Sequence, residues 1–296
     1  MFSAIVADFR QIAGVEVITV STPDEAVFRR EAARAAGTLV IAPECDGILE
    51  ARSRWVEEVH GRLLGPSSAA VRLTADKLAL GAHWREHGLP SPPGRLLLPG
   101  ATAASMVWPG VCKPRHGAGS QAMRLVRSFA ELTTVISDAR AQGCTDDLLL
   151  QPYMPGRAAS VAWLIGPRQA IPLRPAAQHL SADGRFHYRG GEVPLAPTLA
   201  ERAIALSRRS IACVSGLLGY VGVDLVLGEE PDGSGDALIE LNPRLTTSYI
   251  GLRALARNNL AATWLNVAKG EPTTELTWHP GTVRFTADGH VFVEEK

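Results

Sequence analysis

A chain of 296 residues, 46% of them hydrophobic, can bury a full core and divide into two or three subdomains. Its 30 basic and 30 acidic residues cancel, so no electrostatic footprint points to nucleic acid or a membrane surface as a partner. No apolar run approaches the ~20 residues of a membrane span, and the first residues lack a basic stretch and a cleavage site, so a cytoplasmic location is expected.

Apolar positions at helical spacing (Ile5, Val6, Phe9, Ile12, Ala13) predict a helix over 3–13 that stops at Gly14. Val15–Val20 reads as a strand, Asp24–Ala36 as a helix closed by Gly37, and Thr38–Ala42 as a second strand. A helix over Glu50–His60 and a short strand at 61–65 follow. This alternation argues for a small parallel α/β unit over residues 1–65. Thr74 is expected to cap a helix running from Ala75 to His87, ended by Gly88 and prolines 90, 92 and 93. That Pro-rich piece is the first credible linker.

Beyond it, 96–98, 110–114 and 122–126 read as strands, and Ser128-Phe-Ala-Glu131 is a capping box opening a helix to about Ala141. Strands are expected at 148–153 and 160–165, with a Pro- and Gly-rich loop of broken strands over 166–196. A second capping box, Thr198-Leu-Ala-Glu201, opens a long helix to Gly219. Ser248–Lys269 reads as one helix, and 282–285 with 290–294 closes the chain as a hairpin. The second body then runs from 66 to 296, with a lid subdomain at about 94–155 and a metal and substrate subdomain at about 156–296.

Two apolar strands, Gly219–Gly228 and Asp236–Arg244, flank a run of turn formers and form the informative hairpin. Side chains two apart on a strand share a face, so Glu240 and Asn242 point together and Asp224 on the partner strand can join them. Two carboxylates and an amide oxygen make a hard-oxygen site suited to magnesium or manganese. Their neighbours (Val-Gly-Val-Asp-Leu-Val-Leu, Ala-Leu-Ile-Glu-Leu) are too apolar for a solvated face. Arg244, two residues on, can bind a phosphate oxygen bidentately.

The second informative stretch is Val111–Ala122. Its G-x-G-x-x-A pattern leads into an extended segment and not a helix, so it does not fit a dinucleotide fingerprint. A glycine loop between strands is instead a flap whose N–H groups can close over phosphates, with Lys113 on the strand entering it. Lys77, on a helix, gives a weaker signal. Cys45, Cys112, Cys144 and Cys213 lie far apart, which fits buried free thiols in a reducing compartment. His83 and His87 have zinc-compatible i, i+4 spacing, but with no third ligand nearby in sequence a solvated helix face is expected.

Taken together, Asp76-Lys77, Lys113 with Gly117-Ala-Gly-Ser120, Gln151–Gly156, Asp224, and Glu240-Leu-Asn-Pro-Arg244 resemble the ATP-grasp superfamily of carboxylate–amine ligases over roughly residues 66–270. Within it, Ile41-Ala-Pro-Glu44, Tyr188-Arg-Gly-Gly191 and Asn242–Arg253 resemble the tyramine–L-glutamate ligase group, which serves methanofuran-type cofactor synthesis.

The resemblance implies an α/β fold of α+β subdomains, with a small N-terminal pre-ATP-grasp domain and ATP between the later subdomains. Lys77 and Lys113 would hold its phosphates under the flap of Gly117, Ala118, Gly119 and Ser120. The hinge at Gln151, Tyr153 and Met154 would meet adenine. Asp224, Glu240 and Asn242 would carry Mg2+ or Mn2+. Two departures stand out. The position at which many members place a ribose-binding carboxylate is Ala158. The chain also begins inside the first helix, so the first domain is expected to lack its first strand.

Such a site activates an acid by phosphoryl transfer and lets an amine attack the acyl phosphate, with Arg244 and Lys113 stabilising developing charge. Arg253 or Arg189 could clamp a substrate carboxylate, and Thr246 and Thr247 could receive a small polar substrate. The expected partners are an amino acid (glutamate) and an amine such as tyramine or tyrosine, with an oligomer allowed. A nucleotide-binding module without turnover, or a ligase for an unrelated acid and amine, is the competing reading.

Overall fold

The computed structural model describes residues 1–98, 106–117 and 122–294. Three helices come first: α1 (Phe2–Arg10), α2 (Glu25–Arg34) and α3 (Ile48–Glu58). Asp24 caps α2, its side chain accepting from the N–H groups of Ala26 and Val27. The strands expected at 15–20, 38–42 and 61–65 do not form. Parallel pairing survives as one bridge between Thr38 and Leu63, and the buried Thr38 hydroxyl finds no partner there. An extended apolar run becomes a strand only beside a ladder partner. Val15, Val17, Leu39 and Ile41 spend their apolar surface on the core instead.

The helix expected from Ala75 is two helices. α4 (Ser68–Ala75) ends and α5 (Lys77–Glu86) begins at Asp76, whose extended backbone breaks the run. Asp76, and not Thr74, is the cap: its Oδ1 accepts from Leu78 and Ala79 N–H. Thr74 is buried inside α4 and donates to the Ala70 carbonyl. A short-range signal found the helix but missed the break, because Thr and Asp both cap.

A four-stranded antiparallel sheet follows, in the order β1 (Arg95–Leu96), β4 (Leu148–Pro152), β2 (Gly110–Pro114), β3 (Arg124–Val126). Helix α6 (Phe129–Ala141) covers it, and Ser128 accepts from Glu131 N–H as the capping box requires. The Glu131 carboxylate returns to Arg127 N–H, one residue earlier than the motif predicts. Cys112, Val126, Leu132, Leu148 and Leu150 fill the space between.

The larger antiparallel sheet runs β10 (Ala237–Asn242), β9 (Gly219–Leu227), β5 (Arg157–Ile165), β7 (Ala176–Leu180), β8 (Tyr188–Val193), β11 (Thr282–Thr286), β12 (Val291–Glu294). β6 (Ala170–Pro172) pairs only with β5. The stretch 166–196 therefore supplies three strands, two of which carry site residues. One face of the sheet packs against α7 (Pro197–Ala212) through Trp163, Val223, Leu225 and Leu206.

Helix α7 starts at Pro197 behind the cap position Ala196, so the box at Thr198 is not used, and it ends at Ala212, closed by Cys213, and not at Gly219. The other face carries α8 (Ser248–Leu255) and α9 (Leu260–Lys269), which Ala256 interrupts and the Asn259 cap restarts. Helix α1 docks against α9, Phe9 meeting Trp264 at 6.0 Å, so residues near the two ends of the chain share one core. Among the described residues no helix is long and apolar enough to cross a membrane.

Candidate active site

The site is a cavity of about 860 Å³ walled on one side by β2 and β4 and on the other by β5, β7, β9 and β10. Its floor is set by register. Asp224 on β9 lies directly opposite Glu240 on β10 and opposite Ser160 on β5. Like charges opposite each other on neighbouring strands repel, so this pair calls for cations. Lys77 provides one: its Nζ is 3.1 Å from Glu240 Oε1 and donates to the Gly117 carbonyl at 2.6 Å. The break at Asp76 aims Lys77 this way, placing it at the first position of α5 instead of on a continuous helix face. Lys113, 3% exposed on β2, faces the same carboxylate.

The electrostatics follow from burial and this pairing. Burial, reinforced by Glu240, pushes the Asp224 carboxyl up to about 7, against hydrogen bonds from Asn242 and Gln178. Burial also acts on Glu240, but Lys77, Lys113 and Arg244 outweigh it and hold that carboxyl below its ordinary value. Lys113 is depressed to about 8 by burial and by Lys77, with Glu240 opposing. Asn242 donates from Nδ2 to Asp224 Oδ2 at 3.0 Å, which leaves its amide oxygen as the third hard donor beside the two carboxylates.

Arg244 lines the cavity, with Nε 2.7 Å from Glu44 Oε2. Glu44 is buried on the segment before α3, so the N-terminal part of the chain reaches the site through this ion pair and through Cys45 and Asp46 in the lining. Gln151, Tyr153 and Met154 line the opposite wall. Gln151 is held by donation to the Pro92 carbonyl, and Tyr153 stacks on Phe186 with centroids 6.2 Å apart. Thr246 and Thr247 are also in the lining, with Thr246 Oγ1 3.0 Å from the Tyr220 hydroxyl and 2.8 Å from Ser248 Oγ. Gly117 lies at the cavity wall; Ala118, Gly119 and Ser120 lie outside the described residues.

Two expected substrate contacts are not brought here. Arg253 turns away to form a two-point pair with Asp8, Nε–Oδ2 2.7 Å and Nη2–Oδ1 2.5 Å. Tyr249 donates to the same carboxylate at 2.7 Å. A buried carboxylate on α1 needs those donors, and it fixes Arg253 as a clamp between α1 and α8. Arg189 is exposed on β8, whose alternation turns Tyr188 inward and Arg189 out.

Among the lining residues that sequence reasoning gave no role are Gln178, Tyr188, Ser160 and Asp46. Gln178 on β7 donates to Asp224 Oδ1 at 2.9 Å, reaching past β5 because Ala158 and Ser160 are small. Its signal, a polar residue at period two from Ala176 in a half-buried run, was masked by the surrounding prolines and glycines. Of the four cysteines, none is paired and only Cys112 is fully buried, where four buried thiols were expected.

A family model described as the ATP-grasp domain matches residues 74–248, and one described as a pre-ATP-grasp domain matches residues 5–71. A tyramine–L-glutamate ligase of Methanocaldococcus fervens is 25% identical over 255 residues, covering 84% of this chain and 70% of the relative. Among solved structures, the ADP complex of an N5-carboxyaminoimidazole ribonucleotide synthetase superposes with a TM-score of 0.73 at 18% identity, covering 94% of this chain and 72% of that one. An L-amino acid ligase from Bacillus licheniformis gives a TM-score of 0.71 at 16% identity, covering 88% and 66% respectively.

Proposed function

We propose that this chain, which belongs to the ATP-grasp family, is an ATP-dependent ligase joining the carboxylate of an amino acid to an amine, with release of ADP and phosphate. The observation that carries the reading is the Asp224–Glu240–Asn242 oxygen cluster facing Lys77 and Lys113 across one cavity. The donor set fits magnesium: two carboxylates in cross-strand opposition, and an amide whose nitrogen is already spent on Asp224, leave hard oxygens aimed at one space. Bound there, magnesium would neutralise charge on the nucleotide's terminal phosphates.

The chain's own groups would do the rest. Lys113 and Lys77 bring two cations to the phosphate end of the cavity. Arg244, steadied by Glu44, offers its remaining guanidinium N–H groups to the transferred phosphoryl and then to the tetrahedral oxyanion. Gln151, Tyr153 and Met154 would meet the nucleobase. An oxygen of the acid forms a bond to the terminal phosphorus as the bond to ADP breaks. The amine nitrogen then bonds to the acyl carbon, phosphate leaves, and the nitrogen's proton passes to phosphate or solvent. Keeping water from the cavity matters to this step, because water competes for the acyl phosphate.

Glutamate as acid and tyramine or tyrosine as amine, in synthesis of a methanofuran-type cofactor, is the finer reading, supported by the 25% identity to a tyramine–L-glutamate ligase. A ligase for an unrelated pair is the second reading. The observation favouring it is that Arg253 and Arg189 stand outside the cavity, so a glutamate clamp would have to come from Arg244.

The test is nucleotide product analysis with glutamate and a panel of amines. ADP and phosphate should appear only when acid and amine are both present, and Glu240→Gln should lower kcat by about 10²-fold or more. Release of AMP and pyrophosphate would overturn the acyl-phosphate route. ATP–Mg binding without turnover on any acid and amine would favour a non-catalytic module.

A further inference from the structure

Away from the cavity, at the other end of α5, the fold assembles a ligand set that the i, i+4 spacing of His83 and His87 only half announces. The third member is Cys213, the residue closing α7, 126 positions beyond His87 in the chain. One ligand atom from each of His83, His87 and Cys213 lies within 4.8 Å of the other two. The helices meet here because Trp84 on α5 is fully buried against α7 and donates to the Ser210 carbonyl at 3.3 Å.

Hydrogen bonding fixes both imidazole tautomers. His83 Nε2 is 2.8 Å from the Cys213 carbonyl, and His87 Nδ1 is 2.8 Å from the His83 carbonyl. A carbonyl only accepts, so each of those nitrogens carries the hydrogen. Nδ1 of His83 and Nε2 of His87 are then left with lone pairs. Donation of the second ring N–H to a backbone carbonyl is the arrangement that orients and strengthens a metal-binding histidine.

We propose that His83, His87 and Cys213 form a zinc site that pins the C-terminal turn of α5 to the end of α7. Two imidazoles and a thiolate suit zinc in a tetrahedral geometry, the fourth position taken by water. Tetrahedral bonds of about 2.0–2.3 Å set ligand atoms roughly 3.3–3.8 Å apart. Reaching that spacing from within 4.8 Å would take rotation of the exposed His87 and half-buried His83 side chains. On binding, the Cys213 Sγ–H bond breaks, a sulfur–zinc bond forms, and the proton passes to solvent. Helix α5 carries Lys77 at its first position, so the ion would stiffen the element that delivers a cation to the cavity, two turns away.

The experiment uses the full chain without an affinity tag, in excess Mg2+ to fill the oxygen cluster, titrated with Co2+ as a spectroscopic stand-in and then with Zn2+. The expected result is one equivalent of Co2+ with tetrahedral d–d bands and a thiolate-to-cobalt charge-transfer band, displaced by one equivalent of Zn2+. Cys213→Ser should abolish the charge-transfer band. His87→Ala, at an exposed position that leaves the core intact, should weaken Zn2+ binding about a hundredfold. Asp224→Ala should change neither. Zinc should raise the wild-type Tm by at least ~3 °C and leave that of His87→Ala unmoved. Octahedral cobalt without a sulfur band, or a band that survives both Cys213→Ser and His87→Ala, would overturn the proposal.

Discussion

Asp76 shows how much one side chain can decide. It caps α5, accepts from Arg115 Nε at 3.0 Å and from Arg115 Nη2 at 2.7 Å, and by breaking the helix it delivers Lys77 to Glu240. Burial raises its carboxyl, but the hydrogen bonds from Arg115 and Ala79 outweigh that and hold it below its ordinary value. A carboxyl depressed on folding contributes stability that is fully present above the ordinary aspartate range and is lost as pH falls through the lower folded value. Asp76→Asn keeps the cap oxygen and loses the charge. It is expected to cost about 1–2 kcal/mol at neutral pH, with the gap to wild type narrowing below about pH 4. Urea unfolding at pH 7 and pH 3 checks this; an equal gap at both would deny the ion pair its role. Metal-ligand type and strand-face arithmetic made Asp224, Glu240 and Asn242 legible in sequence. The partners of Arg253 were not, because Asp8 lies 245 residues earlier and no local pattern joins them.

At the scale of elements, the β9–β10 hairpin places the oxygen cluster and also sets where the N-terminal helices can sit. Gly219 opens β9 at φ +71°, and a Cβ there would lie 2.1 Å from the Leu64 carbonyl oxygen and 2.6 Å from Trp264 Nε1. That carbonyl is the acceptor for the Trp264 indole at 2.9 Å. Gly219→Ala should therefore destabilise by about 3 kcal/mol or more, through strain and lost contact together. Gly14→Ala, at φ +77° with nothing near its would-be Cβ, should cost only about 1 kcal/mol. Chemical denaturation of the two variants separates them; equal losses would mean backbone strain alone is being read. Boundaries of β2 and α6 could be read from caps and alternation, and those of α2 and β10 to within two residues. The breaks at Asp76 and at Ala256–Asn259 could not, since the residues on both sides are good helix formers and the interruption answers to packing on the sheets.

At the scale of the whole molecule, the cavity lies between two sheets whose cores are separate clusters, with Lys113 on one wall and Asp224 and Glu240 on the other. A ligand that bridges them stabilises the folded state by mass action, about 2.7 kcal/mol at a hundredfold excess over Kd. ATP with Mg2+ is therefore expected to raise Tm, and chelation of the metal with EDTA should remove at least half of the shift. A shift indifferent to EDTA would mean that the carboxylate pair takes no part in nucleotide binding. Scanning fluorimetry suffices as the readout.

The amino-acid pattern by itself determined the hairpin, the shared face of Asp224, Glu240 and Asn242 on it, the strand that carries Lys113, and the α/β character, because each depends on periodicity, turn chemistry or residue type within a few positions. Only the folded chain decided that the first 65 residues keep a single parallel bridge, that Arg253 serves Asp8, that Glu44 steadies Arg244, and that Cys213 completes a pair of histidines. Those outcomes turn on which segments found partners far along the chain, and burial without a partner is too costly for a charge or a strand edge to ignore.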